Sequence, residues 1–189
     1  MLNSSIVEYP CWELVAEKEQ LMDFSRFKTP DWLKVGGAVG FLIFGFMSWV
    51  KVDFGGEISF ARDISGGSVF DFFFTGTIPW ILIMASAIVT VLLVTGNMKQ
   101  GKMNWPMLVV IANGLAAVLL LIRFIFNPLD RKNEMEAMGI DVQRGTGMIL
   151  SVLAGLVAAA GSIMGFTAGG GNLKDLTDIN KIKDGFGQN

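Results

Sequence analysis

The chain has 189 residues, of which 52% are hydrophobic and only 17% charged, with a formal net charge of −2. A soluble domain averages about 25% charged residues, so this composition points to one domain held mostly in lipid and makes no case for nucleic acid. Histidine is absent and Cys11 is the one cysteine, which excludes an intrachain disulfide, a cysteine zinc site and the commonest haem and near-neutral acid–base ligand.

Residues 1–30 form a polar N-terminal tail. Within it Cys11, Leu14, Val15, Leu21 and Met22 share one helical face, with Glu13, Glu17 and Glu19 off it. This fits an amphipathic segment that docks on a partner or on the protein's own membrane face, or else a loosely ordered tail. The acidic polar face argues against attraction to anionic lipid. No basic region followed by an apolar stretch and a small-residue cleavage site opens the chain, so no signal peptide is expected.

The membrane domain is expected over residues 31–168, as an up-down bundle of four transmembrane helices in an all-α fold. The first span is placed at about 33–50. Its uncharged run from Val35 to Val50 is short, but Lys34 and Lys51 can snorkel to the interfaces, and Trp32 and Trp49 would bracket it as interfacial belts. Gly36 and Gly40, with Gly37 and Gly45 nearby, supply a small-residue face for close helix approach. The first connection alternates partly from Val52 to Phe60 and then meets Ser65-Gly66-Gly67-Ser68, which suggests a short β-hairpin or an irregular loop on the membrane face. The aromatic group Phe70-Asp71-Phe72-Phe73-Phe74 fits the interfacial start of the second span, and Phe72, Phe73 and Phe74 are also candidates for contact with lipid or a partner.

The second and third spans, at about 77–96 and 104–124, are the clearest. No charged residue occurs from Phe72 to Met98 or from Met103 to Ile122. About 20 apolar residues cross a ~30 Å hydrocarbon core at about 1.5 Å per residue. Pro79 and Pro106 sit at expected first helical positions, where the missing N–H costs nothing, and Trp80 and Trp105 lie beside them at headgroup level. Asn113 is the polar group in the third span, suited to an interhelical hydrogen bond or to lining a pore. Arg123 ends that span, where it can snorkel or pair with a lipid phosphate or a partner's acid.

Asn127-Pro128 opens an expected short surface helix over 128–138, closed by Gly139. The fourth span, about 146–167, is rich in small residues at spacings of four: Gly147, Ser151, Gly155 and Ala159, with Gly161 and Gly165 repeating the pattern. It should lie inside the bundle or against a second protein. Residues 169–189 are a C-terminal tail in which Asn172 caps a short helix that Gly185 ends.

Phe46-Met47-Ser48-Trp49, the glycine-rich first loop, and Gly139 to Gly147 leading into the fourth span resemble small four-span membrane proteins of actinobacteria, over about residues 24–168. The resemblance implies topology and no activity. The four-span plan is also similar to that of claudins and tetraspanins, but their paired loop cysteines are missing here.

Placing both termini in the cytoplasm puts nine of the 15 basic residues inside, including Lys99 and Lys102 in the shortest connection. No intramembrane carboxylate of the kind ion-coupled transporters use is found, and no phosphate loop, HExxH helix or GxSxG elbow. No catalytic, metal or cofactor-binding residue is assigned, and no cofactor is expected. The expected function is that of a non-enzymatic, multi-pass cell-membrane protein, an accessory, scaffold or assembly subunit working with other membrane subunits or with itself. A homo-oligomeric channel or small-solute transporter is the alternative. An enzyme would have to draw on Asp53, Glu57, Asp63 and Asp71.

Overall fold

The computed structural model describes residues 24–53, 64–98, 103–126 and 141–186. The amphipathic segment before residue 24, the turn 99–102 and the expected surface helix 128–138 lie outside the described residues, as do residues 54–63 of the first loop.

The described chain is mostly helical. Helix α1 spans Thr29–Gly45. Pro30 sits in its first turn, and the Asp31 carboxylate accepts the Lys28 backbone N–H at 3.2 Å, which ties off the helix start. Helix α2, Ile78–Val94, follows directly on a π-helical turn, Phe73–Thr77. Helix α3 is Trp105–Ile125, with the Asn104 side chain accepting the Met107 N–H at 3.3 Å. Helix α4 is Thr146–Ala168. Three helices are long and apolar enough to cross a membrane: Phe73–Val94, Trp105–Ile125 and Thr146–Ala168. These fall within a few residues of the second, third and fourth expected spans.

The first expected span is shifted. Helix α1 begins at Thr29 and stops at Gly45, 17 residues or about 25 Å, so it is shorter than the ~20 residues a hydrocarbon core asks for. It stops because the next backbone groups are taken by a sheet. The Trp49 N–H donates to the Gly67 carbonyl at 2.9 Å, and the Gly145 N–H donates to the Trp49 carbonyl at 2.8 Å. Trp49 is consequently fully buried in the core and is no interfacial belt residue. Lys51 lies in a strand rather than at a helix end.

That sheet also amends the all-helical expectation. Strand β1, Val50–Asp53, lies between β2, Ile64–Gly66, and β3, Asp141–Arg144, and is antiparallel to both. Val50 stands opposite Gly66 on one side and Arg144 on the other. Strands β1 and β2 fit the expected short β-hairpin, but β2 falls on the Ser65-Gly66 stretch where the alternation breaks, and residues 54–63 of the first loop lie outside the described residues. Strand β3 comes from the lead-in to the fourth span, so the sheet joins the first and third connections at one end of the helices.

Helix α1 packs most extensively on α4, α4 on α3, α3 on α2, and α2 on α1. Helices α1 and α4 run antiparallel, with Gly161 against Leu33, Ala158 against Gly37 and Gly147 against Met47. Phe41, Ile83, Ala116, Leu120, Met148 and Val152 fill the centre. At the end away from the sheet, the C-terminal tail folds back as a short 3-10 turn, Leu173–Leu176, and helix α5, Ile179–Gly185. Asn172 caps the first through the Lys174 N–H, and Asp178 caps the second through the Asn180 N–H. The Asn104 N–H donates to the Gly185 carbonyl at 3.0 Å, and Leu176 and Ile182 pack against Met107, Val110 and Phe166.

Candidate functional site

The small residues of α4 are used inside the chain. A Cβ on Gly37 would stand 2.7 Å from the Ala158 nitrogen, and one on Gly161 would stand 2.7 Å from the Leu33 Cβ. Contact this close between backbones requires glycine. Gly40 faces Ala154, Gly155 faces Leu120, and Ala159 is buried. Gly165 leaves room for the Lys34 ammonium, whose nitrogen a Cβ there would meet at 3.2 Å. Gly36 departs from the expectation: it has open space around it, and the glycine on the seam is Gly37. The surface that could receive a second protein is therefore not this stripe.

Polar groups in the middle of the helices point inward. Ser86, Thr90, Asn113, Ser151 and Ser162 are all buried, whereas Val39, Ile43, Ile88, Leu115, Val118 and Leu153 are exposed. This is the reverse of a water-soluble bundle and suits a lipid surround. The Asn113 amide donates to the Ser162 hydroxyl at 2.6 Å, and that hydroxyl donates to the Ala158 carbonyl at 2.9 Å. The Asn113 side-chain carbonyl has no donor among the described residues. Thr90 spends its hydroxyl on its own helix, donating to the Ser86 carbonyl at 2.8 Å. Ser151 is fully buried with no partner for its hydroxyl among the described residues, so it serves the seam by its small size.

Two clefts open at the end of the bundle away from the sheet. One, of about 340 Å³, lies between the start of α1, the end of α2, the start of α3 and the end of α4. Arg26, Lys28 and Lys34 line it together with Asp31, and its other lining residues include Leu93, Val109, Thr90 and Ser162. Asp31 is committed to Lys34 through an ion pair of 2.8 Å whose side chains are largely buried. The other cleft, of about 650 Å³, lies under the folded-back tail and is lined by Met107, Phe166, Gly170, Asp175 and Lys181, among others. Lys181 and Asp175 form an ion pair there, which raises the Lys181 pKa above the ordinary lysine value through the hydrogen bond and charge of Asp175.

The sheet end carries an aromatic frame. The Arg123 guanidinium lies 3.7 Å from the centre of the Phe72 ring, and Phe72 stacks on Trp49 with centroids 6.0 Å apart. Arg144 covers Phe124 at 4.8 Å. Phe72 and Arg123, both expected to touch lipid or a partner, are thus turned inward and brace the frame. Phe73 and Phe74 are outward, 62% and 71% exposed, and their rings meet edge-on. Phe46, Phe70 and Phe126 extend the exposed apolar surface at this end. The π-helical turn that presents Phe73 and Phe74 depends on Gly76, where a Cβ would run into the Val69 carbonyl.

Sequence reasoning missed Trp49 and Arg144 as framework residues and the convergence of Arg26, Lys28 and Lys34. For the three cations, the basic cluster before the first span was the available signal. Among the described residues, no group of three or more His, Cys, Asp or Glu is placed to hold a metal ion. No protein-family model, curated protein or solved structure matches this chain.

Proposed function

We propose that this chain is a four-span integral protein of the cell membrane that acts as an accessory or scaffolding subunit of a larger membrane complex. In this reading α1 is the first of the four spans, its short length made up by Lys34 and the sheet at its two ends, and the bundle runs up and down with both termini in the cytoplasm. The observation that carries the reading is the aromatic collar of Phe73 and Phe74 on the sheet end. Large rings held outward on a framework already braced from within are the kind of anchor that membrane subunits use on one another.

A pore made by several copies is less well supported. It would need polar groups on outward faces, and Ser86, Thr90, Asn113, Ser151 and Ser162 all face inward. The reading is tested by purifying the endogenous protein from native membranes in mild detergent and identifying what co-elutes. A stoichiometric larger assembly is expected. Elution as a discrete self-oligomer would overturn it and direct attention to solute flux in liposomes.

A further inference from the structure

The folded-back tail has more apolar surface than the bundle covers. In helix α5 and its cap, Ile179, Ile182 and Phe186 follow at spacings of three and four, so they share one face, with Asn180, Lys181 and Asp184 on the other. Ile182 packs with Leu176 on Met107, Val110 and Phe166. Ile179 and Phe186 are left 68% and 50% exposed, and Leu173 ahead of them 47%. The depth of the tail is fixed by its contacts. The Asn104 N–H donates to the Gly185 carbonyl at 3.0 Å, and a Cβ on Gly185 would stand 3.2 Å from the Met107 sulfur. Gly185 is thus level with the first turn of α3 and not beyond it. At the start of the tail, Gly170 takes a φ of +85° and Gly171 lies against the Phe166 ring, so the chain turns back directly after α4 ends at Ala168.

Helix α3 has 21 residues and α4 has 23, about 32 and 35 Å at helical rise, which a ~30 Å hydrocarbon core takes up almost entirely. A segment held level with the first turn of α3 therefore lies in the headgroup layer beside the acyl boundary, not in bulk water. We infer that the tail from Leu173 to Phe186 is an interfacial anchor. Leu173, Ile179 and Phe186 enter the lipid at the headgroup–acyl boundary, while Leu176 and Ile182 hold the tail to the bundle. Amphipathic helices of this kind bury their apolar face about 5–10 Å into that boundary. Residues 173–186 carry three lysines and three aspartates, so the attraction is apolar and asks for no anionic lipid. The anchor rests on the membrane reading and not on the subunit reading.

The test uses the full chain with Cys11→Ser, carrying one nitroxide at a new cysteine, in vesicles of phosphatidylcholine. Power saturation then compares relaxation by oxygen, which concentrates in lipid, with relaxation by a neutral nickel chelate, which stays in water. The ratio of oxygen to chelate relaxation should exceed unity for Ile179→Cys and Phe186→Cys and fall below unity for Asn180→Cys on the polar face. Adding phosphatidylglycerol to the vesicles should change neither order. Ile88→Cys and Leu115→Cys, exposed in the middle of α2 and α3, are the controls. A ratio above unity at these controls but below it at 179 and 186 would overturn the anchor alone. A ratio below unity at all four would overturn the membrane reading and the anchor with it. Weak relaxation by both reagents at 179 and 186 would mean that protein covers this face, either the N-terminal segment or a second copy, and would also overturn the anchor.

Discussion

The guanidinium of Arg123 lies over the ring of Phe72, 3.7 Å from its centre, and the other side of the frame is completed by the stack of Phe72 on Trp49. A cation–π contact is worth about 2 kcal/mol when desolvated, so Arg123→Gln should destabilise the folded protein by about 1–2 kcal/mol. Phe72→Leu should cost a similar amount. In a double-mutant cycle followed by denaturant unfolding in detergent, the two losses should be clearly less than additive. Full additivity would mean that Arg123 is held by other groups.

Gly36 and Gly37 are neighbours with opposite expected responses. A Cβ on Gly37 meets the α4 backbone, so Gly37→Ala should cost about 1–3 kcal/mol through forced separation of α1 and α4. Gly36 has open space and lies in a helix, so Gly36→Ala should stabilise by about 0.5–1 kcal/mol. Thermal unfolding of the two variants in detergent reads the difference directly.

Ser162→Ala removes the oxygen that accepts the Asn113 amide and leaves a buried polar group unpaired. Hydrogen bonds between membrane helices are worth roughly 0.6–2 kcal/mol, and the loss should fall in that range. Asn113→Leu in the Ser162→Ala background should recover part of it, because no orphaned amide then remains. Unfolding midpoints of the single and double variants test this.

The Lys181–Asp175 pair sets the response of the tail to alkali. The lysine's pKa is raised in the folded tail, so the contact is fully present below the ordinary lysine value of 10.5 and is lost as pH rises through the higher, folded value. Opening of the Ile179–Gly185 helix, read as hydrogen exchange relative to its intrinsic base-catalysed rate, should increase over that window, and Lys181→Met should remove that increase.

The long spans were legible because uncharged runs of about 20 residues have few alternatives. The end of α1 was not, because Phe46 to Val50 continues the apolar run and hydropathy alone cannot separate a helix from a buried strand. The pairing of Val50 with Arg144 is non-local, and nothing near either residue announces it. The glycine spacing of α1 identified a close-packing helix but chose Gly36, since two overlapping small-residue faces exist and only the partner helix decides between them. Phe72 reads in the sequence as part of an aromatic group at the start of the second span, yet the direction of its ring depends on Arg123, far away in sequence.

The subunit reading stands most directly on Phe73 and Phe74. The decisive comparison is the native-gel mobility of the endogenous protein, extracted in mild detergent, against the Phe73→Ala, Phe74→Ala variant expressed at the same level. The wild-type chain should migrate in a larger assembly, and the variant should migrate alone while unfolding at the same denaturant concentration. Identical mobility of the two would contradict the assignment of the collar as the interface.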